Sequence, residues 1–229
     1  MKLAWSIGHD ILHSGAYSDP LGKSEHVLAR QVVELGIQII NSLGIGWEVF
    51  CPSLVVDPAG KSAGAVLNEK IRKINEFGAD IAIESHFNSA GSPLARGCET
   101  IYFSLPIGKR FSPEGKRLAE CIQRNTLSHL NATNDRVIRP AHAISDRGIK
   151  GMSDLIREYN GREVVPRFAF LTQTKMPSVI LEPYFISSPF DTALMSLEPK
   201  KEVYRLALGV VSGILEWAGV TGVTLPQVP

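Results

Sequence analysis

Four polar residues stand where chemistry would need them. His9 follows the apolar run Leu3-Ala4-Trp5-Ser6-Ile7-Gly8, His86 follows Ile81-Ala82-Ile83-Glu84-Ser85, and Glu182 follows Val179-Ile180-Leu181. Glu25 heads a long amphipathic stretch. Two imidazoles and a carboxylate are donor types that zinc accepts in a tetrahedral site, with a fourth position left for water. Such a cation makes its water markedly more acidic. A further carboxylate within reach can take the water's proton and return it to a leaving amine. Glu182 has apolar neighbours, which desolvate a carboxylate and raise its pKa towards that task. The spacing alone leaves alternatives open. The candidates are scattered, without a HExxH-like signature, and each taken singly reads as a capped or surface side chain. His13 competes with His9, which is preferred because it follows its apolar run directly. His26 is adjacent to Glu25 and so points elsewhere on a helix. His129 and His142 lie away from the run ends and read as surface or packing residues.

These residues need a frame that gathers strand ends. Short apolar runs predict strands over 2–7, 47–51, 80–85, 98–104, 168–172 and 178–181. Longer patterns of period 3.6 predict helices over 25–43 (capped by Ser24), 63–76 (capped by Ser62), 113 to about 129 (capped by Ser112) and 200–217. Shorter helices are expected at 152–158 and after Ser188-Pro189, and residues 131–151 read as polar and turn-rich. This alternation predicts a single α/β domain, a mostly parallel twisted sheet of about six strands with helices on both faces. Ligands then bind beyond the carboxyl ends of the strands, where His9, His86 and Glu182 fall. The loop 10–23, rich in Gly, Ser and Asp, can return Glu25 to the side of His9. The domain is expected over 1–219, with an insertion at 105–147 and a loose C-terminal tail at 220–229.

Composition narrows the classes. With 24 basic and 23 acidic residues the net charge is +1, so no global attraction to nucleic acid or anionic lipid is expected. Cys51, Cys98 and Cys121 are odd in number and far apart, which argues against a disulfide framework and a thiolate metal site. The longest apolar stretch, 206–220, is broken by Glu216 and too short to span a bilayer. The first residues lack the apolar length of a signal peptide. The expectation is a soluble protein, cytoplasmic at synthesis.

An ordered set of segments carries a resemblance: 6–9 (SIGH), 24–25 (SE), 79–88 (ADIAIESHFN), 96–102 (RGCETIY), 146–150 (DRGIK) and 176–187 (MPSVILEPYFIS). Together they resemble the zinc-dependent N-acetylmuramoyl-L-alanine amidases of bacterial cell separation and phage endolysins. The resemblance implies one Zn²⁺ per chain held by His9, Glu25 and His86, with Glu182 as the catalytic residue. It implies peptidoglycan as substrate, cut at the amide joining the lactyl group of N-acetylmuramic acid to the L-alanine of the stem peptide. It places the site of action at the cell wall, with phage lysis as one route there. Asn88 and Glu99 are expected substrate contacts, against readings of Asn88 as a turn cap and Glu99 as a structural acid. Arg147 and Lys150 read as surface charge or as contacts to stem-peptide carboxylates. The chain departs from the family's usual Ser-Ile-His-x-Asn at Glu84, which lies on the same side of its strand as His86 and reads as a partner for the imidazole or as a surface residue. Pro183, Tyr184 and Ser188 also depart from the usual pattern. Two other functions fit fewer of these features: a zinc amidohydrolase of small N-acyl amino acids or peptides, and a wall-binding module without catalysis.

Overall fold

The first strand feeds two separate cores, as a strand of period two must when both faces of its sheet are covered. In the computed structural model, which describes residues 1–105, 110–132, 143–155, 157–159, 162–164 and 167–229, strand β1 (Lys2–Ile7) sends Leu3, Trp5 and Ile7 into one core and Ala4 into the other. Strands β2 (Glu48–Phe50), β3 (Ile81–Ser85), β4 (Cys98–Tyr102), β5 (Asp146–Gly151) and β6 (Ser178–Glu182) complete a six-stranded sheet in the order β2-β1-β3-β6-β4-β5. All pairs are parallel except β6 with β4. Helices α1 (Glu25–Ser42), α3 (Pro113–Leu130) and α6 (Pro199–Trp217) supply the larger core. Helices α2 (Ala63–Phe77) and α4 (Ala169–Gln173) supply the smaller one, and α5 (Pro189–Leu197) packs on α6.

The expected α/β class, single domain and mostly parallel six-stranded sheet are therefore present. Three elements differ from expectation. The strand expected at 168–172 is the helix α4, whose adjacent Phe170 and Leu171 are both buried. A short apolar run carries no periodicity that separates helix from buried strand. The sixth strand is instead β5, in a stretch read as polar turns. As an edge strand it buries little, and Asp146, Arg147 and Lys150 give it a polar sequence. The short helix expected at 152–158 shrinks to one 3₁₀ turn, Met152–Asp154, after which Arg157–Tyr159 pairs with Arg162–Val164 as a small antiparallel ribbon. Residue 156, most of the expected insertion outside α3 (106–109 and 133–142), and His142 lie outside the described residues. Within that span α3 packs on β4, β5 and β6. Residues 220–229 form no helix or strand, and Val220, Leu225 and Val228 rest partly buried against the larger core, so this tail is held against the domain. The three cysteines are unpaired and buried. No described helix is long and apolar enough to cross a membrane.

One contact fixes how α1, and with it Glu25, sits on the sheet. Gly36 meets the fully buried indole of Trp5, and a Cβ there would overlap the ring. The same indole donates from Nε1 to Ser85 Oγ at 2.9 Å, tying β1 to the end of β3. Alanine is the better helix former by about 0.5–1 kcal/mol, but overpacking a filled core costs about 1–3 kcal/mol. Gly36→Ala is therefore expected to lower stability in a urea titration, and an unchanged or raised midpoint would contradict the packing argument.

Candidate metal centre and cleft

Backbone geometry at the end of β1 is set before any ligand side chain is considered. Gly8 N–H continues the ladder to Ser85 O at 2.8 Å. His9 then adopts φ +60°, the one non-glycine with positive φ among the described residues. A left-handed conformation at such a residue costs free energy and needs support from its surroundings. Lys70 of α2 supplies support: its Nζ donates to Ile7 O at 2.8 Å and also to His9 O, so one ammonium brackets the turn. His26 adds a ring contact to Gly8 O at 3.0 Å. Gly8 itself leaves room for the ring of His86, which a Cβ would strike.

Glu25 reaches the same point from the head of α1. Its N–H bonds Ala16 O and that of His26 bonds Ser14 O, which folds the loop back under the helix. Asp10 caps the loop by accepting from the N–H groups of Leu12 and His13 and by holding the His13 ring at 2.9 Å. His13, the rival to His9, is thus engaged with Asp10. Gly15, at φ +74°, lies against both the Glu25 carboxylate and the His9 ring.

Three side chains converge. Glu25 is 5% exposed, with Oε2 3.0 Å from His9 Nε2 and Oε1 2.8 Å from His86 Nδ1. It also accepts from Phe87 N–H at 3.2 Å. One donor atom from each of His9, Glu25 and His86 lies within 4.8 Å of the others. Burial works to raise the Glu25 pKa, but its hydrogen bonds to His86 and His9 outweigh this and hold the carboxyl well below the usual range. Burial likewise disfavours the His86 cation, and its bonds to Glu25 and Glu84 reverse the sign. Converging imidazoles with a compact anion fit a zinc ion in donor type and number.

Glu182, at the end of β6, faces this cluster. Its Oε2 is buried and accepts no hydrogen bond from the protein. Burial pushes the carboxyl up to about 8; the charge on His86 opposes this, and those on Glu25, Glu99 and Glu84 add to it. All four residues line one cleft of about 580 Å³, with Val66, Leu67, Phe168 and Phe170 among its lining residues from the α2 and α4 side.

Asn88 also lines the cleft, whereas Glu99 sits behind it. Glu99 pairs across the sheet with Glu182. It accepts from Asn88 Nδ2 at 2.9 Å and from both Arg147 Nε and Lys150 Nζ. Asn88 in addition caps its own turn through Oδ1 to Ser89 N–H. His129 bonds Ser212 between α3 and α6, a packing role as expected. Lys70 escaped the sequence reading, although its place in the inward row Val66, Lys70, Ile74 is a legible signal: a lysine spaced four residues from core positions on each side.

Residues 6–216 match the family model described as N-acetylmuramoyl-L-alanine amidase. Among solved structures, an N-acetylmuramoyl-L-alanine amidase from Clostridium difficile 630 aligns at 21% identity, covering 96% of this chain and 98% of that one, with a TM-score of 0.68. The amidase AmiC2 of Nostoc punctiforme aligns at 18% identity over 96% and 97%, with a TM-score of 0.67. The catalytic domain of the CD27L endolysin, which targets Clostridia difficile, aligns at 19% over 94% and 97%, with a TM-score of 0.66. At these identities the likeness establishes the fold. No curated protein sequence matches significantly.

The glycine beside the imidazole gives a direct test of the assembled site. Gly8→Ala is expected to displace the His86 ring and weaken zinc binding by about tenfold or more, in line with the loss when a ligand's support is removed. Titration with zinc ion measures this, and wild-type affinity would show that the close approach has no bearing on the site.

Proposed function

Because the chain belongs to the N-acetylmuramoyl-L-alanine amidase family, we propose that His9, Glu25 and His86 hold one zinc ion and that Glu182 is the general base and acid of the reaction. The enzyme hydrolyses the amide between the lactyl group of N-acetylmuramic acid and the L-alanine of the peptidoglycan stem peptide. A catalytic role leaves no place for the wall-binding reading. The observation that carries the site assignment is three converging donors beside a carboxylate whose Oε2 is buried without a hydrogen-bond partner in the protein. When bound, zinc polarises the scissile carbonyl and acidifies the attacking water.

Glu182 accepts the proton of that water, whose oxygen bonds to the lactyl carbonyl carbon. As the carbon–nitrogen bond breaks, the same carboxyl returns the proton to the alanine nitrogen, giving a free acid and a free amine. The apolar residues of the α2 and α4 wall limit water around Glu182, which keeps its proton affinity high. Asn88 contacts substrate from the rim while Glu99 fixes its amide. The catalytic unit is residues 1–219, acting on the cell wall.

Digestion of purified peptidoglycan tests the reaction: free N-terminal alanine on intact stem peptides is expected, and new reducing sugars alone would reject it. Glu182→Gln is expected to lower kcat by about 10²–10⁴-fold with zinc content unchanged. The pH profile has a defined sign. Glu182 must be ionised to accept the proton, and burial raises its pKa to about 8, so kcat/KM rises with pH along an acidic limb. A bound cation favours the carboxylate and moves that limb below its metal-free position. A profile whose limb survives in Glu182→Gln would assign it to another group.

A further inference from the structure

We propose that Glu84 is a positioning residue for the metal centre: it accepts the Nε2–H of His86 and so commits that ring to offer Nδ1 to the cation. The inference rests on the metal reading above and goes beyond its three ligands.

The two residues lie two apart at the end of β3 and share a face. Glu84 Oε2 is 3.2 Å from His86 Nε2, whereas Nδ1, the ring's other nitrogen, is 2.8 Å from Glu25 Oε1. A neutral imidazole donates from one nitrogen and offers a lone pair from the other. An ionised carboxylate has no proton to give, so the hydrogen between them belongs to Nε2. The lone pair is then on Nδ1, the nitrogen that faces Glu25. A carboxylate behind a ligating histidine is a recurrent way to fix both tautomer and ring orientation.

The surroundings of Glu84 are built for that job. In the sheet it pairs with Ser6 on β1 and Ile180 on β6, in a layer otherwise lined by Ala4, Ala82 and Ile180. A carboxylate only 3% exposed in such a layer is costly unless bonded and charge-compensated. Ser6 Oγ donates to its Oε1 at 3.2 Å. The ammonium of Lys70, also 3% exposed, offsets its charge. Lys70 is the group that brackets the backbone of His9. The buried charges therefore reach both imidazoles from below: Lys70 through the turn that carries His9, Glu84 through the ring of His86. An alanine or isoleucine at position 84 would satisfy the core and leave Nε2 of the ring without this acceptor.

The tautomer can be read in the zinc-loaded wild-type protein. With histidine labelled by nitrogen-15, two-bond proton–nitrogen correlations are expected to show His86 protonated at Nε2 and metal-bound at Nδ1. A metal-bound Nε2 overturns the proposal. In parallel, Glu84→Ala is expected to weaken zinc affinity about 10–100-fold in chelator competition. Glu84→Gln, whose amide oxygen accepts the same hydrogen, is expected to restore most of it. Wild-type affinity in a folded Glu84→Ala also overturns the proposal. If that variant does not fold, the wild-type histidine spectrum decides. Failure of the wild-type chain to bind zinc at all would remove the metal reading, and this inference with it.

Discussion

A carboxylate cannot be carried to the edge of an apolar sheet without groups to receive it, and much of this fold follows from receiving Glu25. Its oxygens are met by His9, His86 and the amide of Phe87. Each partner constrains an element. His9 requires β1 to end in a left-handed turn, His86 requires β3 to end beside Gly8, and Glu25 requires the loop to fold back over Gly15. The larger core then holds α1 against β1 at Gly36, so the helix cannot slide without moving the carboxylate. Packing and polar satisfaction set one geometry together, which is how a site is held more tightly than its own hydrogen bonds would hold it.

The reversed direction of β4 gives the cleft its backing. In an all-parallel sheet the edge that binds ligand is made of carboxyl ends alone. Here β4 runs against β6, so its amino-terminal Glu99 arrives at the edge where Glu182 ends. Strand β5 follows β4 in direction and brings Arg147 to the same place. A polar cluster behind Asn88 thus comes from residues that begin their strands, beside acids and imidazoles from residues that finish theirs.

What could be read in the sequence divides along the same physical line. His9, His86 and Glu182 were legible because an apolar run that stops at a polar side chain marks a strand end, and strand ends share an edge. Glu25 was legible only through Ser24 as a helix-start residue, although the Ser24 side chain makes no capping bond, and a loop able to turn back. Strand β5 was hidden because an edge strand with one large apolar residue, Ile149, has no alternation to detect. Helix α4 was hidden because five residues are too few for periodicity. The roles of Lys70 and Glu84 depend on neighbours contributed by other elements, Ile7 and His9 for one, Ser6 for the other. A charge in a core row signals a buried partner without naming it.

The strands at the two ends of the sheet share a further property. Exposed strand edges recruit other chains unless something interrupts their row of amides and carbonyls. Strand β2 offers only three residues and opens with Glu48. Strand β5 is interrupted by Gly148, at φ +76°, and by a register shift against β4. The two cations it contributes, Arg147 and Lys150, add charge to that margin while their tips turn inward to Glu99. The residues that hold Glu99 behind the cleft thereby also keep the sheet from growing, and the molecule guards its open margin with side chains already engaged in backing Asn88.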